Sequence, residues 1–314
     1  MPEKSSGGKT KWYFIKSYGY SDCHMTANGD WVYGIAKAGY DDPETMAKQL
    51  WCFTTDDDSL YTITCKYDGR VFDLAYHPVT EECVHFTSGE GIKFEIRTIE
   101  GREGFGLMTD RPCPSGNPIM RYPSFAGSYN NTLWLVRQAN SERDEAWFIA
   151  EPYDEGFETQ NSEEVTYYNI VSSNSDMTGR MLADNTSSVD SKYKFVMEES
   201  AADNPLAQWR LVRCKNQSVA IVNRATGNSI SNSLEADGYI NIPNADGKET
   251  LPDGYNICKI SDDCEFVMSS AGDDGIVRYL NAANLSGDPA FSTATTLAAP
   301  YSPGDSSKPT RRWR

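Results

Sequence analysis

Short runs rich in Val, Ile, Tyr, Phe and Trp recur along the chain, divided by Gly, Asn, Asp, Pro and Ser, and no long stretch keeps a helical apolar period. The pattern predicts an all-β protein. WYFIKSYG, LYTITCKYDG, TYYNIVSSN, SVAIVNRATG and CEFVMSSAGDDG each begin as an apolar strand and end on Gly or Asn, which accept positive φ in turns. A second element is an aromatic strand: QLWCF around Trp51, KFEI around Phe94, AWFI around Trp147, QWRL around Trp209 and RRWR around Trp313, with YNICKI as a degenerate copy. The aromatic anchors fall roughly 40–60 residues apart, the spacing of an array or a pseudo-symmetric fold.

Between anchors the order is opening strand, turn, second strand, third strand, aromatic strand. WYFIKS, HMTANGD, WVYGIAKA and QLWCF make the first unit; LYTITC, VFDLAY, CVHFTS and KFEI the second; GFGLMT, PIMRYP, TLWLVRQ and AWFI the third. Three further units follow an acidic stretch without apolar alternation, EPYDEGFETQNSEE, which is the predicted linker over 151–164. A polar tail over 1–10 precedes a first domain at 11–150, and a second domain occupies 165–314. Four strands per unit and three units per domain suit a closed six-stranded barrel capped by three hairpins, and closure removes the edges that short strands otherwise expose. A WD-type propeller has a comparable period, but its WD and GH signatures are missing and the acidic stretch would interrupt its ring. A jelly roll is the more distant competitor.

Length and charge narrow the function. The 314 residues are enough for two ordinary cores. A formal net charge of −16 argues against a nucleic-acid partner, because phosphate recognition needs clustered Lys and Arg. No apolar run is long enough for a transmembrane segment. MPEKSSGGKT is too polar for a signal-peptide core, and PEKSSGG reads as a tether behind a removed leader, so the expectation is a secreted or cell-surface protein. The eight cysteines divide five and three between the halves, which leaves one unpaired in each, and no C-x-x-C pair offers a zinc site. They are expected as buried thiols, with no metal and no cofactor.

QLWCF and AQWRL resemble the Q-x-W signature of the ricin-type carbohydrate-binding family. IVNRATGNSIS resembles that family's opening strand, N-x-x-T/S-G turn and second strand, and DGRVFDLA its G-K-x-L-D-V element. The resemblance covers residues 11–150 and 164–314 and implies two tandem β-trefoil domains, each of three four-stranded units. Gln208 departs from the pattern by standing directly before Trp209, and the later aromatic strands lack the glutamine. One large ring per unit, placed around a threefold axis, fills a barrel, so Trp51, Phe94, Trp147, Trp209 and Trp313 are expected in the core rather than at a ligand.

The resemblance also implies shallow sugar pockets, each with a short carboxylate for two hydroxyls and an aromatic face for the apolar side of the ring. Asp73 falls where the family places its sugar-binding aspartate, with His85 or Phe86 on the following strand as stacking partner. The competing reading is a surface aspartate at a strand-to-turn junction. The first unit offers Gln49 and Asn28, with Trp31, Tyr33 and Tyr40 as platforms. The fourth offers Asp184 with Gln208 and Tyr193. The turn from Asn223 to Gly227 reads as backbone chemistry. His24, His77 and His85 stand beside no nucleophile motif, and 45 acidic residues guarantee chance carboxylate pairs, so no catalytic residue is named. The resulting expectation is a non-catalytic, lectin-like protein whose partner is a glycan or polysaccharide. The alternative is a structural or protein-binding tandem trefoil with degenerate sugar sites, including protease-inhibitor-like use of its loops. An enzyme with a site between the domains ranks behind both.

Overall fold

The computed structural model describes residues 2, 10–20, 22–40, 42–55, 59–77, 81–109, 121–125, 133–137, 143–159, 165–172, 179–185, 195–214, 217–230, 254–259, 261, 265–271, 277–285 and 288–294. The chain is all-β and divides into two compact units, Met1–Gly39 with Glu44–Asp154, and Tyr40–Pro43 with Glu155–Arg314. One helix among the described residues, α1 (Pro43–Lys48), opens with proline and carries a Glu44–Lys48 pair at 2.6 Å. No described helix is long and apolar enough to cross a membrane.

The first unit contains β1 (Trp12–Ser17), β2 (His24–Asn28), β3 (Trp31–Ile35), β4 (Leu50–Thr55), β5 (Tyr61–Cys65), β6 (Val71–His77), β7 (Glu81–Thr87), β8 (Glu95–Arg97), β9 (Gly106–Met108), β10 (Arg121–Phe125), β11 (Leu133–Arg137) and β12 (Phe148–Tyr153). Two closures run through them. In one, β1 pairs β4, β4 pairs β5, Tyr61 bridges to Phe94 ahead of β8, β8 pairs β9, Phe105 bridges to Phe148, and β12 returns to β1. Two links of this six-strand path are single bridges, so the closed six-stranded barrel expected from the sequence is not formed by continuous strand pairing. The other closure is a seven-membered ring, β1–β2–β3–β7–β6–β5–β4, produced because the hairpins pair with one another as well as capping the barrel. β11 joins β7 on the same side, so the hairpins β2–β3, β6–β7 and β10–β11 form a continuous layer.

β1 is buried on both faces, which explains its unbroken WYFI run. β3 alternates as a half-covered strand should. Inside, Trp51 stacks on Phe86 at 5.8 Å and meets Phe72 at 4.9 Å; Phe72 meets Phe94, and Phe53, Phe105 and Phe148 continue the chain of rings. Trp51 and Phe94 therefore take their expected core places. Trp147 is buried, but Phe148 rather than Trp147 joins the central cluster. Trp147 lies under the Arg102 guanidinium at 4.6 Å and packs against Gly106, where a Cβ would come within 2.9 Å of the indole. The strand expected to stop before the linker runs on through Tyr153, because Glu151 to Tyr153 pair with Trp12 to Phe14.

The second unit contains β13 (Tyr168–Asn169), β14 (Met181–Asp184), β15 (Phe195–Glu198), β16 (Gln208–Arg213), β17 (Val219–Asn223), β18 (Ser229–Ile230), β19 (Asn256–Lys259), β20 (Phe266–Ala271), β21 (Val277–Leu285) and β22 (Asp288–Ala294). β13–β16–β17–β18 form one sheet and β14–β15–β22–β21–β20–β19 another. Its core gathers Trp209, Leu182, Ile221, Ile230, Tyr255 and Ile257. Trp313 lies outside the described residues.

The indoles repeat one bond. Trp51 Nε1 donates to the Met25 carbonyl at 3.0 Å, Trp209 Nε1 to the Leu182 carbonyl at 2.8 Å, and Trp147 Nε1 to the Glu103 carbonyl at 2.9 Å. Each of these three rings is thus buried with its donor satisfied, as buried indoles usually are.

Candidate functional site

Asn28 of β2 lies opposite Trp31 of β3, Trp31 opposite His85 of β7, and His85 opposite Asp73 of β6. Directly opposed residues share a face of the sheet, so the four form one row across four adjacent strands. Strand alternation sets which face it is. Val32, Phe72, Val84 and Phe86 are buried, whereas Trp31, Asp73 and His85 are half-buried and Asn28 is exposed. The Trp31 and His85 rings meet edge to face at 5.8 Å. With strands about 4.8 Å apart, the row is about 14 Å long. Four residues singled out in the sequence, Asn28, Trp31, Asp73 and His85, are thereby brought together from two different units.

The row is held from below and from its ends. Arg70, just ahead of β6, donates from Nε to Asp68 at 2.8 Å, from Nη1 to Asp30 at 3.1 Å and from Nη2 to the Gly29 carbonyl at 2.7 Å. Its guanidinium also covers the Phe86 ring at 4.9 Å. The Phe86 N–H donates to the Asp30 carbonyl at 3.1 Å. The β2–β3 turn that carries Trp31 is therefore tied to both strands that carry Asp73 and His85. On the other side of β6, the Ile92 N–H donates to the Phe72 carbonyl, and Gly91 passes so close that a Cβ there would lie 2.5 Å from that same oxygen. Such fixed strands suit recognition, since the row is ordered before any ligand arrives.

The remaining sequence candidates go elsewhere. Phe86 faces the core and stacks on Trp51, so of the pair His85 or Phe86 only His85 faces the row. Gln49 is fully buried, with its amide donating to the Ala36 carbonyl and to Thr26 Oγ1 and its carbonyl accepting from the Ala38 N–H. It braces the segment after β3 from both sides and has no face toward a ligand. Asp184, 3% exposed, accepts from the Thr226 hydroxyl and from Asn228 Nδ2. It fastens the turn after β17 to the end of β14, and this contact gives the N-x-x-T-G turn a role beyond backbone chemistry. Tyr193 lies outside the described residues.

Five described cysteines, Cys23, Cys52, Cys65, Cys214 and Cys258, stand as thiols outside any disulfide, and burial pushes the Cys23 thiol up to about 11. Among the described residues no group of three His, Cys, Asp or Glu is placed to hold a metal ion.

Comparison with known proteins shows no family: no family model matches the chain, and no curated protein matches it. Its structural neighbours include a ricin B-like lectin. That lectin, from Macrolepiota procera and in complex with lactose, is 12% identical and covers 48% of this chain and 99% of its own, with a TM-score of 0.35. A mosquitocidal holotoxin at 11% identity covers 97% of this chain and 33% of its own, with a TM-score of 0.42. A GlcNAcα1-4Gal-releasing endo-β-galactosidase from Clostridium perfringens, at 11% identity, covers 98% and 72%, with a TM-score of 0.37. The chain spans a third of the holotoxin. These likenesses are loose, and the functional reading rests on the residues of the row.

Proposed function

We propose that the chain is a tandem pair of β-trefoils that binds carbohydrate without cleaving it, through the row Asn28, Trp31, His85 and Asp73. The Q-x-W resemblance supports the fold reading, together with the three hairpins and six-strand path of the first unit and the repeated indole-to-carbonyl bond. The observation that carries the binding reading is the cross-strand register, which sets a carboxylate, an imidazole, an indole and a carboxamide side by side on one face. A carboxylate accepts from neighbouring sugar hydroxyls, an indole covers the C–H side of a pyranose, and a carboxamide both donates and accepts. No cation is needed to recognise a neutral sugar, in keeping with the acidic composition.

A glycan array on the full chain, followed by titration of Asp73→Ala and Trp31→Ala, tests this. Loss of a hydrogen bond to a charged group costs about 1.5–3 kcal/mol, so Asp73→Ala is expected to weaken binding by roughly ten- to a hundredfold, and Trp31→Ala, which removes the stacking face, is expected to weaken it as well. Asp184→Ala, a change in the second unit, should leave affinity unchanged in folded protein. Failure of every glycan to bind at about millimolar protein, the weakest useful affinity, sinks the proposal. The exposed rings of Tyr18 and Tyr20 favour a second reading, a protein-binding surface. Recovery of one stoichiometric protein partner with no glycan response would select it.

A further inference from the structure

His24 is a buried imidazole with nothing to bond. Its side chain is 6% exposed, and neither Nδ1 nor Nε2 has a hydrogen-bond partner. It stands in β2, opposite Lys16 of β1 on one side and Ile35 of β3 on the other, and the Phe14 ring meets it edge-on at 6.5 Å. The carboxylate of Glu151 in β12 has its Oε2 3.9 Å from Nε2. That carboxylate is already engaged, by Lys16 Nζ at 2.6 Å and Lys37 Nζ at 2.7 Å. Lys37 also lies over the Phe14 ring at 4.4 Å, and Gln49 pins the residues on either side of it, Ala36 and Ala38. The cluster spans β1, β2, the segment after β3, and β12, which is where the first and last strands of the unit pair over six residues.

We propose that His24 makes this seam acid-labile: when the imidazole takes a proton, it must either draw Glu151 away from Lys16 and Lys37 or leave its buried place, and both outcomes loosen the junction of β1, β2 and β12. The balance of groups sets the direction. Burial opposes the charged imidazole most strongly, and Lys37 and Lys16 add to that, while Glu151 and Asp22 favour the charge without overcoming it. His24 therefore titrates below its ordinary value near 6.5. Since the unfolded chain then binds the proton more readily than the folded one, the stabilisation is complete above pH 6.5 and is lost as pH falls from there toward the depressed folded value. Glu151 acts lower down. The hydrogen bonds from Lys16 and Lys37 bring its carboxyl to about 2, so its share disappears between about 4.5 and about 2.

Hydrogen exchange on the full chain reads the seam directly. From pH 8 to 5, with intrinsic exchange rates divided out, the opening constant of amides in β1 and β12 should rise by up to tenfold per pH unit below about 6.5, the slope of one proton. In His24→Phe the same amides should stay level until about pH 4.5, where carboxylates begin to titrate. Titration of the imidazole resonances in the unmodified chain gives a second readout that does not depend on the variant folding. His24 should titrate below 6.5, and Lys37→Ala, which removes an opposing cation from an exposed position, should move it upward. An imidazole that titrates at or above 6.5, or seam amides whose pH dependence is the same with and without His24, overturns the inference.

Discussion

Replacing Gln49 with leucine tests how much of the first unit hangs on one buried amide. The side chain is fully buried and makes three hydrogen bonds, at 2.8 Å to the Ala36 carbonyl, 2.8 Å from the Ala38 N–H and 3.0 Å to Thr26 Oγ1. At about 0.5–1.5 kcal/mol net apiece, their loss costs about 2–4 kcal/mol. Leucine recovers about 1 kcal/mol of that by burying more apolar surface in nearly the same volume, leaving a net cost of about 1–3 kcal/mol. Gln208, next to Trp209 in the second unit, is the control. It is partly exposed, donates to the Ala202 carbonyl at 2.8 Å and accepts from Arg224, and water replaces both bonds on mutation. Gln208→Leu should therefore fall within about 0.5 kcal/mol of the parent. Hydrogen exchange by mass spectrometry across a urea series reads the two units separately, with unit-one amides the reporter for Gln49 and unit-two amides for Gln208. Equal effects at the two positions, or a Gln49→Leu cost under about 0.5 kcal/mol, would refute the assignment of Gln49 as a brace.

Other perturbations follow from the same geometry. Gly91→Ala forces a Cβ to 2.5 Å from the Phe72 carbonyl and from Val71 Cγ2 at a φ of +66°, so it should cost more than about 1 kcal/mol and weaken any glycan bound beside Asp73, read by thermal unfolding and titration together. Asp184→Ala leaves the Thr226 hydroxyl and the Asn228 amide without this acceptor and should destabilise the second unit by about 1–3 kcal/mol in urea. Glu151→Gln should flatten the acid-induced loss of stability in the first unit between pH 4.5 and about 2, because it removes the carboxyl whose folded titration is depressed there.

The strands were legible because their signal is local. Alternation and turn residues are written into each segment, and most of the predicted runs, from WYFIKS to EFVMSS, are strands. What the sequence concealed depends on which strand lies beside which. The helix Pro43–Lys48 occupies one turn and a half, too short for an apolar period to show. Trp147 looked equivalent to Trp51, but a 3-10 turn at Asp144–Ala146 shifts the start of the following strand, and Phe148 takes the central place.

A single residue of register separates a proposed site carboxylate, Asp73, from a brace, Asp184. The carbonyls that accept the indoles of Trp51 and Trp209 belong to Met25 and Leu182, which marks these two residues as equivalent. The next residue is Thr26 in one unit and Ala183 in the other, and Asp184 comes one later, so the alternation of the strand turns its carboxylate to the other face. Sequence spacing alone could not expose that slip, because both aspartates follow a short apolar run and precede a turn. Trp31 was legible as a platform of the first unit, but not as a neighbour of His85 and Asp73. It belongs to the first unit by sequence, and only the pairing of β3 with β7 sets it beside His85. The glutamine of Q-x-W turned out to act at a distance as well: by pinning Ala36 and Ala38 it fixes Lys37, and through Lys37 it reaches Glu151 and the unbonded imidazole of His24. A motif read as a mark of sugar binding is thus, in this chain, physically coupled to the closing seam of the first unit, while the proposed recognition row is assembled from residues that no single unit contains.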